Sequence, residues 1–135
     1  MQVGQTMTFP AMRAALAAAT LTICAIGTAN AGSISTPTIF KGDSDQIVCI
    51  ATNVTAAPIH VVVRIYGFGA NATTTCDVDP NDPGGCEAFR AADGGFCKIT
   101  VAAMTNAQVA ASLRGVLFGR KTTAPFAIQQ VVQAQ

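Results

Sequence analysis

Tryptophan is absent and Tyr66 is the only tyrosine, so aromatic residues make up just 6% of the 135 positions. That scarcity argues against the ring platforms on which sugars and single-stranded nucleic acids stack. Charge is scarce too, at 11% of residues, and the eight Lys and Arg nearly balance the seven Asp and Glu. Nothing in that balance favours nucleic acid or an anionic membrane as a partner. No CxxC pair occurs and His60 is the only histidine, which leaves a zinc site without its ligand set. The longest apolar run, Ala14 to Ile26, falls short of the roughly 20 residues a membrane span requires. With half of the residues hydrophobic, the chain is also too apolar to remain disordered.

That same run has the layout of an export signal. Arg13 supplies the positive start, Ala14 to Ile26 the apolar middle, and Ala29, Asn30 and Ala31 a small-x-small cleavage site. The expectation is a signal-peptide helix over residues 1–31, cleaved after Ala31, and a secreted or periplasmic protein with no integral membrane domain. A rival reading places a lipid on Cys24, because Leu21, Thr22, Ile23 and Cys24 resemble a lipobox, although Ile23 is large for the position before the cysteine. Cleavage after Ala31 leaves 104 residues, one domain, with seven charges of each sign. It also leaves four cysteines, Cys49, Cys76, Cys86 and Cys97, and an even count behind an export signal reads as two disulfides. Three pairings are open to four cysteines. Cys49 shares a strand face with Ile47 and Ala51, and Cys97 shares one with Ile99 and Val101, which favours Cys49 with Cys97 and Cys76 with Cys86.

Strand patterns fill the rest. Gln46 to Thr52 is apolar on both faces, as a central strand is, and Asn53 to Pro58 collects turn formers. His60 to Tyr66 alternates, with Val61, Val63 and Ile65 facing inward and His60, Arg64 and Tyr66 outward. Further strands are expected at Thr38 to Lys41, at Asn71 to Val78 along an edge, at Cys86 to Arg90, at Phe96 to Ala102, at Leu113 to Gly119 and at Phe126 to Val132. Gly32 to Thr36 reads as a flexible lead, and Thr105 to Leu113 as at most one turn of helix across the end of the sheets. About seven or eight short strands, with no βαβ alternation, predict an all-β, two-sheet antiparallel sandwich over residues 32–135.

Four motifs carry a resemblance. Cys49-Ile50-Ala51-Thr52-Asn53, the alternating Pro58 to Tyr66, Gly95 to Val101 and the pair Arg114-Gly115 behind an export signal resemble small exported bacterial proteins with an immunoglobulin-like sandwich and no assigned activity. The resemblance implies an immunoglobulin-like fold and a compartment. It brings no catalytic residues.

Three places offer chemistry. Asp77, Asp79 and Asn81 fall at the one, three, five spacing of a calcium loop, with Asp82 and Glu87 nearby; yet Asp82 stands where such a loop needs Gly, and Glu87 is one place short of the bidentate position. The bland reading is a solvated loop held between Cys76 and Cys86, and no other cofactor is indicated. His60, Arg64 and Tyr66 share a strand face and form a candidate recognition patch, while nothing nominates a nucleophile for His60 to serve as a base. Asn53 with Thr55 and Asn71 with Thr73 match the glycosylation sequon. The functional expectation is a non-enzymatic structural or interaction module that meets a protein or envelope component. The alternatives are a subunit of a surface polymer or adhesin, a homo-oligomer built by edge-strand pairing, and a calcium-dependent binding domain. Intact mass of the exported protein checks the start: the expected species begins at Gly32 and carries two disulfides, whereas a lipid on Cys24 or four free thiols would overturn the compartment.

Overall fold

In the computed structural model, residues 30–123 and 128–135 are described. The expected signal segment, apart from Asn30 and Ala31, lies outside them, as do Cys24 and the first two residues of the expected last strand. The described residues form two antiparallel sheets of β-strands and one short helix. The strands are β1 (Gly32–Ser35), β2 (Ile39–Phe40), β3 (Gln46–Asn53), β4 (Ile59–Gly67), β5 (Ala70–Val78), β6 (Cys86–Arg90), β7 (Gly94–Val101), β8 (Leu113–Arg120) and β9 (Ile128–Gln133), with α1 (Asn106–Ser112) between β7 and β8. The first sheet runs β1-β7-β4-β5, with β2 also on β7, and the second runs β6-β3-β8-β9. The chain therefore makes an all-β, two-sheet sandwich.

One expectation is corrected. Gly32 to Thr36 is not a loose lead: β1 pairs with β7 from Gly32 opposite Val101 to Ser35 opposite Lys98. Ile34 is its one large apolar residue, too little pattern to announce a strand, and its pairing depends on β7 rather than on local propensity.

The core lies between the sheets. From one side come Val61, Val63, Ile65, Cys97 and Ile99, and from the other Ile47, Cys49, Ala51 and Leu117, all fully buried. Alternation along each strand selects these residues and sends their neighbours outward. β3 is central, paired with both β6 and β8, and accordingly Val48 is buried on its other face. α1 is longer than the expected single turn. Thr105 caps it by accepting from the Gln108 backbone N–H, and the Gln108 side chain accepts from the Thr105 backbone N–H, a closed capping box. Val109 and Leu113, four residues apart, then seal that end of the core.

Both flanks of the sandwich are tied. Disulfides join Cys49 of β3 to Cys97 of β7 and Cys76 of β5 to Cys86 of β6, so each bridge links one sheet to the other. The first sits in the middle of the core; the second closes the flank formed by β5 and β6. At the other flank the chain just past β9 leaves its sheet, and Ser35 and Gln135 exchange two backbone hydrogen bonds of 3.2 Å. Two intramolecular disulfides place this fold in a non-reducing environment outside the cytosol. Among the described residues no helix is long and apolar enough to cross a membrane.

Two turns show how the loops are held. Asn53 is 1% exposed, and its amide donates to the carbonyls of Ala57 and Val78 while its carbonyl accepts from the Thr55 backbone and hydroxyl. That sequon is thus a turn-building device with no free amide. Gly85 takes a left-handed φ of 52°, with the Ala51 carbonyl lying where a side chain would stand, so only glycine leads the loop into Cys86. Across the molecule, Asp45 accepts from the Thr122 backbone at 2.5 Å, the Thr122 hydroxyl at 2.9 Å and the Thr123 backbone at 3.4 Å, tying the β8–β9 loop to the start of β3.

Two outcomes follow for stability. Replacing Cys49 and Cys97 together by Ala should lower the unfolding free energy by about 2 to 5 kcal/mol in denaturant titrations of the oxidised protein, because the lost bridge spans 48 residues of sequence. The Asp45 carboxyl is held below its ordinary range chiefly by the Thr122 backbone N–H, then by the Thr122 hydroxyl. A depressed carboxyl contributes stability above its unfolded pKa and loses it as pH falls through the folded value. Thermal melts should therefore show Asp45→Asn less stable than the parent at neutral pH, with the difference shrinking in acid below the unfolded carboxylate range. A difference that stays constant with pH would rule out this linkage.

Candidate recognition face

The outer face of the first sheet is set by the same alternation that buries its inner face. On β4 it presents His60, Val62, Arg64 and Tyr66; on β7, Gly94, Phe96, Lys98 and Thr100; on β5, Asn71, Thr73, Thr75 and Asp77. Register aligns them in rows: Val62 faces Thr100, Arg64 faces Lys98 and Tyr66 faces Phe96. His60, Arg64 and Tyr66 do share this face, but the site they belong to is wider than the three.

His60 stands apart at one end. Its Nδ1 lies 2.6 Å from Asp77 Oδ1, its register partner on β5, and a carboxylate oxygen can only accept there. Asp77 is the one acidic residue in the strands of this sheet. Arg64 is held by neutral groups: its Nε donates to the Thr73 hydroxyl at 3.0 Å, one terminal nitrogen donates to the Tyr66 hydroxyl at 3.4 Å, and its guanidinium carbon lies 5.7 Å from the Tyr66 ring centre. Lys98 stands directly opposite. Among the described residues no carboxylate forms an ion pair with either. Like charges opposed across a strand pair destabilise it, so this pair carries a cost that the core does not explain. Val62, Arg64, Tyr66, Lys98 and Thr100 line an open groove of about 280 Å³.

The rings are the residues that composition did not disclose. Tyr66 and Phe96 stack with centroids 4.9 Å apart and planes 12° from parallel. One row further, Phe40 of β2 faces Gly94 of β7, and Phe68, from the β4–β5 turn, meets Phe40 at 5.9 Å between centroids. Gly94 makes this possible, because a Cβ there would lie 3.1 Å from the Phe68 ring. Phe68 thus reaches over Gly94. Phe40 and Phe68 remain 67% and 54% exposed, an adjacent apolar pair on the surface. Scarce Trp and Tyr left phenylalanine out of account: this face carries two ring pairs, Phe40 with Phe68 and Tyr66 with Phe96. The two-residue spacing of Tyr66 and Phe68 was available as a signal in the sequence, whereas the place of Phe96 beside Tyr66 depends on the β4–β7 register.

Three of the candidate calcium residues have side-chain partners of their own. Asp77 faces His60, Asp82 Oδ1 accepts from the Gly84 N–H at 2.8 Å, and Glu87 pairs with Arg120 at 3.3 Å. Asn81, with φ of 57°, uses its backbone N–H to bond the Asn53 carbonyl. Among the described residues no three His, Cys, Asp or Glu gather where they could hold a metal ion. The edges bear on the polymer alternative. β1 and β5 end the first sheet and β6 and β9 the second, each paired with a strand of its sheet on one side only. Comparison with protein-family models, curated proteins and solved structures finds no match to this chain.

Proposed function

We propose that this chain is an exported, non-enzymatic sandwich of immunoglobulin-like type that serves as an interaction module at the cell envelope, engaging its partner through the outer face of the β1-β7-β4-β5 sheet. The observation that carries this reading is the cation pair of Arg64 and Lys98, opposed in register and without a carboxylate, beside the exposed Phe40–Phe68 pair. A charge repulsion and an apolar exposure on one face each cost stability, and both are relieved by a ligand that neutralises one and covers the other. The immunoglobulin-like part of the reading draws support from two antiparallel sheets joined through their middles by Cys49 and Cys97. Binding groups on this face are already oriented: Arg64 by Thr73, and Phe68 over Gly94.

Co-sedimentation with envelope fragments of the host tests the reading. The wild-type domain should pellet, and Phe68→Ala combined with Lys98→Gln should reduce the bound fraction about tenfold or more, the scale of losing interface anchors. Phe89→Ala combined with Val131→Ser, on the outer face of the other sheet, should pellet as the parent does. Release by the second pair and retention by the first would move the interface to the opposite face. Matching far-ultraviolet spectra and melting curves exclude unfolding as the cause.

A further inference from the structure

The tiers of this face have an order. Along β4 and into its turn, Phe68, Tyr66, Arg64 and Val62 recur every second residue, and along β7, Gly94, Phe96, Lys98 and Thr100 run beside them. At about 3.3 Å per residue the row from Phe68 to Val62 spans about 20 Å. It begins with the exposed Phe40–Phe68 rings, passes the Tyr66–Phe96 stack, reaches the Arg64–Lys98 pair and ends at Thr100 and Val62. We infer that this strip is a binding site for an anionic glycan, the sugar C–H faces lying on Phe40 and Phe68 and a sugar-borne oxyanion, carboxylate or sulfate, held between Arg64 and Lys98. The inference rests on the reading of this face as the recognition surface, and names the ligand.

Three features favour a glycan over other acidic partners. β4 and β7 are interior strands, paired on both sides, so an acidic peptide has no free backbone here to which it could add as a strand. The Phe68 ring reaches over Gly94, against the sheet, whereas a membrane anchor needs rings that project into the acyl boundary. Hydroxyls from Thr73, Thr100 and Tyr66 surround the cations, and such groups donate and accept alike, as a sugar's own hydroxyls do. The guanidinium has geometry for two parallel bonds to a carboxylate or sulfate, and the Lys98 ammonium supplies the second charge.

Titration of the disulfide-bonded domain separates the possibilities. The probes are oligogalacturonate, dextran sulfate, neutral dextran, poly-glutamate and phosphatidylglycerol vesicles, read by calorimetry and by vesicle co-sedimentation. The expected result is binding of oligogalacturonate, dextran sulfate or both, weakened by salt, with no binding of neutral dextran. Arg64→Gln and Lys98→Gln should each weaken it about tenfold, the order expected for a charged hydrogen-bonding partner, and Phe68→Ala should weaken it too. Arg114→Gln, a change in β8 of the other sheet, should have no effect. Which of the two anionic polymers binds more tightly assigns the oxyanion. Equal or tighter binding of poly-glutamate would overturn the glycan in favour of an acidic peptide, and preference for vesicles would overturn it in favour of a lipid surface. If no probe binds while Phe68 and Lys98 still govern envelope retention, the ligand class is wrong and the face stands. If retention is also indifferent to them, both readings fall.

Discussion

One geometric constraint, the two-residue period of β4 and β7, determines both what holds this protein together and what it offers to its surroundings. Val61, Val63, Ile65, Cys97, Ile99 and Val101 go inward because Val62, Arg64, Tyr66, Phe96, Lys98 and Thr100 go outward. A slip of one residue in the β4–β7 register would bury Arg64 and expose Ile65, so the core enforces the register and the register aligns Arg64 with Lys98. The cation pair is therefore not a local accident. It is held against its own repulsion by a buried face that cannot shift.

The flanks reinforce that rigidity. At one side the Cys76–Cys86 bridge joins the outermost strands of the two sheets; at the other, Ser35 and Gln135 bond across them. With the Cys49–Cys97 bridge through the centre, the sheets are fixed to each other at three places across their width. For a domain of about 100 residues, whose single core buries only a modest share of its surface, such staples contribute a large part of the net stability. They also favour faces over edges as the working surface. A rigid sheet face orients side chains without further ordering on binding, which keeps the entropic cost of recognition low.

The second sheet has its own outward apolar row. Phe89, Val48, Phe118 and Val131 are register neighbours across β6, β3, β8 and β9, with Val48 fully buried beneath its neighbours and Phe89 and Val131 each 58% exposed. It lacks what distinguishes the opposite face. Glu87 is paired with Arg120, and Arg114, further along β8, donates to the Ala110 and Leu113 carbonyls. The two faces thus differ in arrangement, since among the described residues no two cations stand opposed across this sheet as Arg64 and Lys98 do across the other.

Much of this was legible in the sequence. Alternation in Pro58 to Tyr66 and Gly95 to Val101 specifies inner and outer faces by sterics alone, and turn clusters such as Asp79 to Gly85 specify where strands stop. The inward placing of Cys49 and Cys97 on separate strands already favoured the pairing that the fold makes. The sequence by itself therefore determined the strand class, the core residues and the shared face of His60, Arg64 and Tyr66, since each follows from neighbours in the chain. Tertiary structure decided three further things: that Gly32–Ser35 is a strand, that Asp77 meets His60 and Glu87 meets Arg120, and that the Phe40–Phe68 and Tyr66–Phe96 ring pairs share a face with a cation pair. Each depends on residues tens of positions apart, and β-sheet register, unlike strand alternation, is fixed only when those distant segments pair.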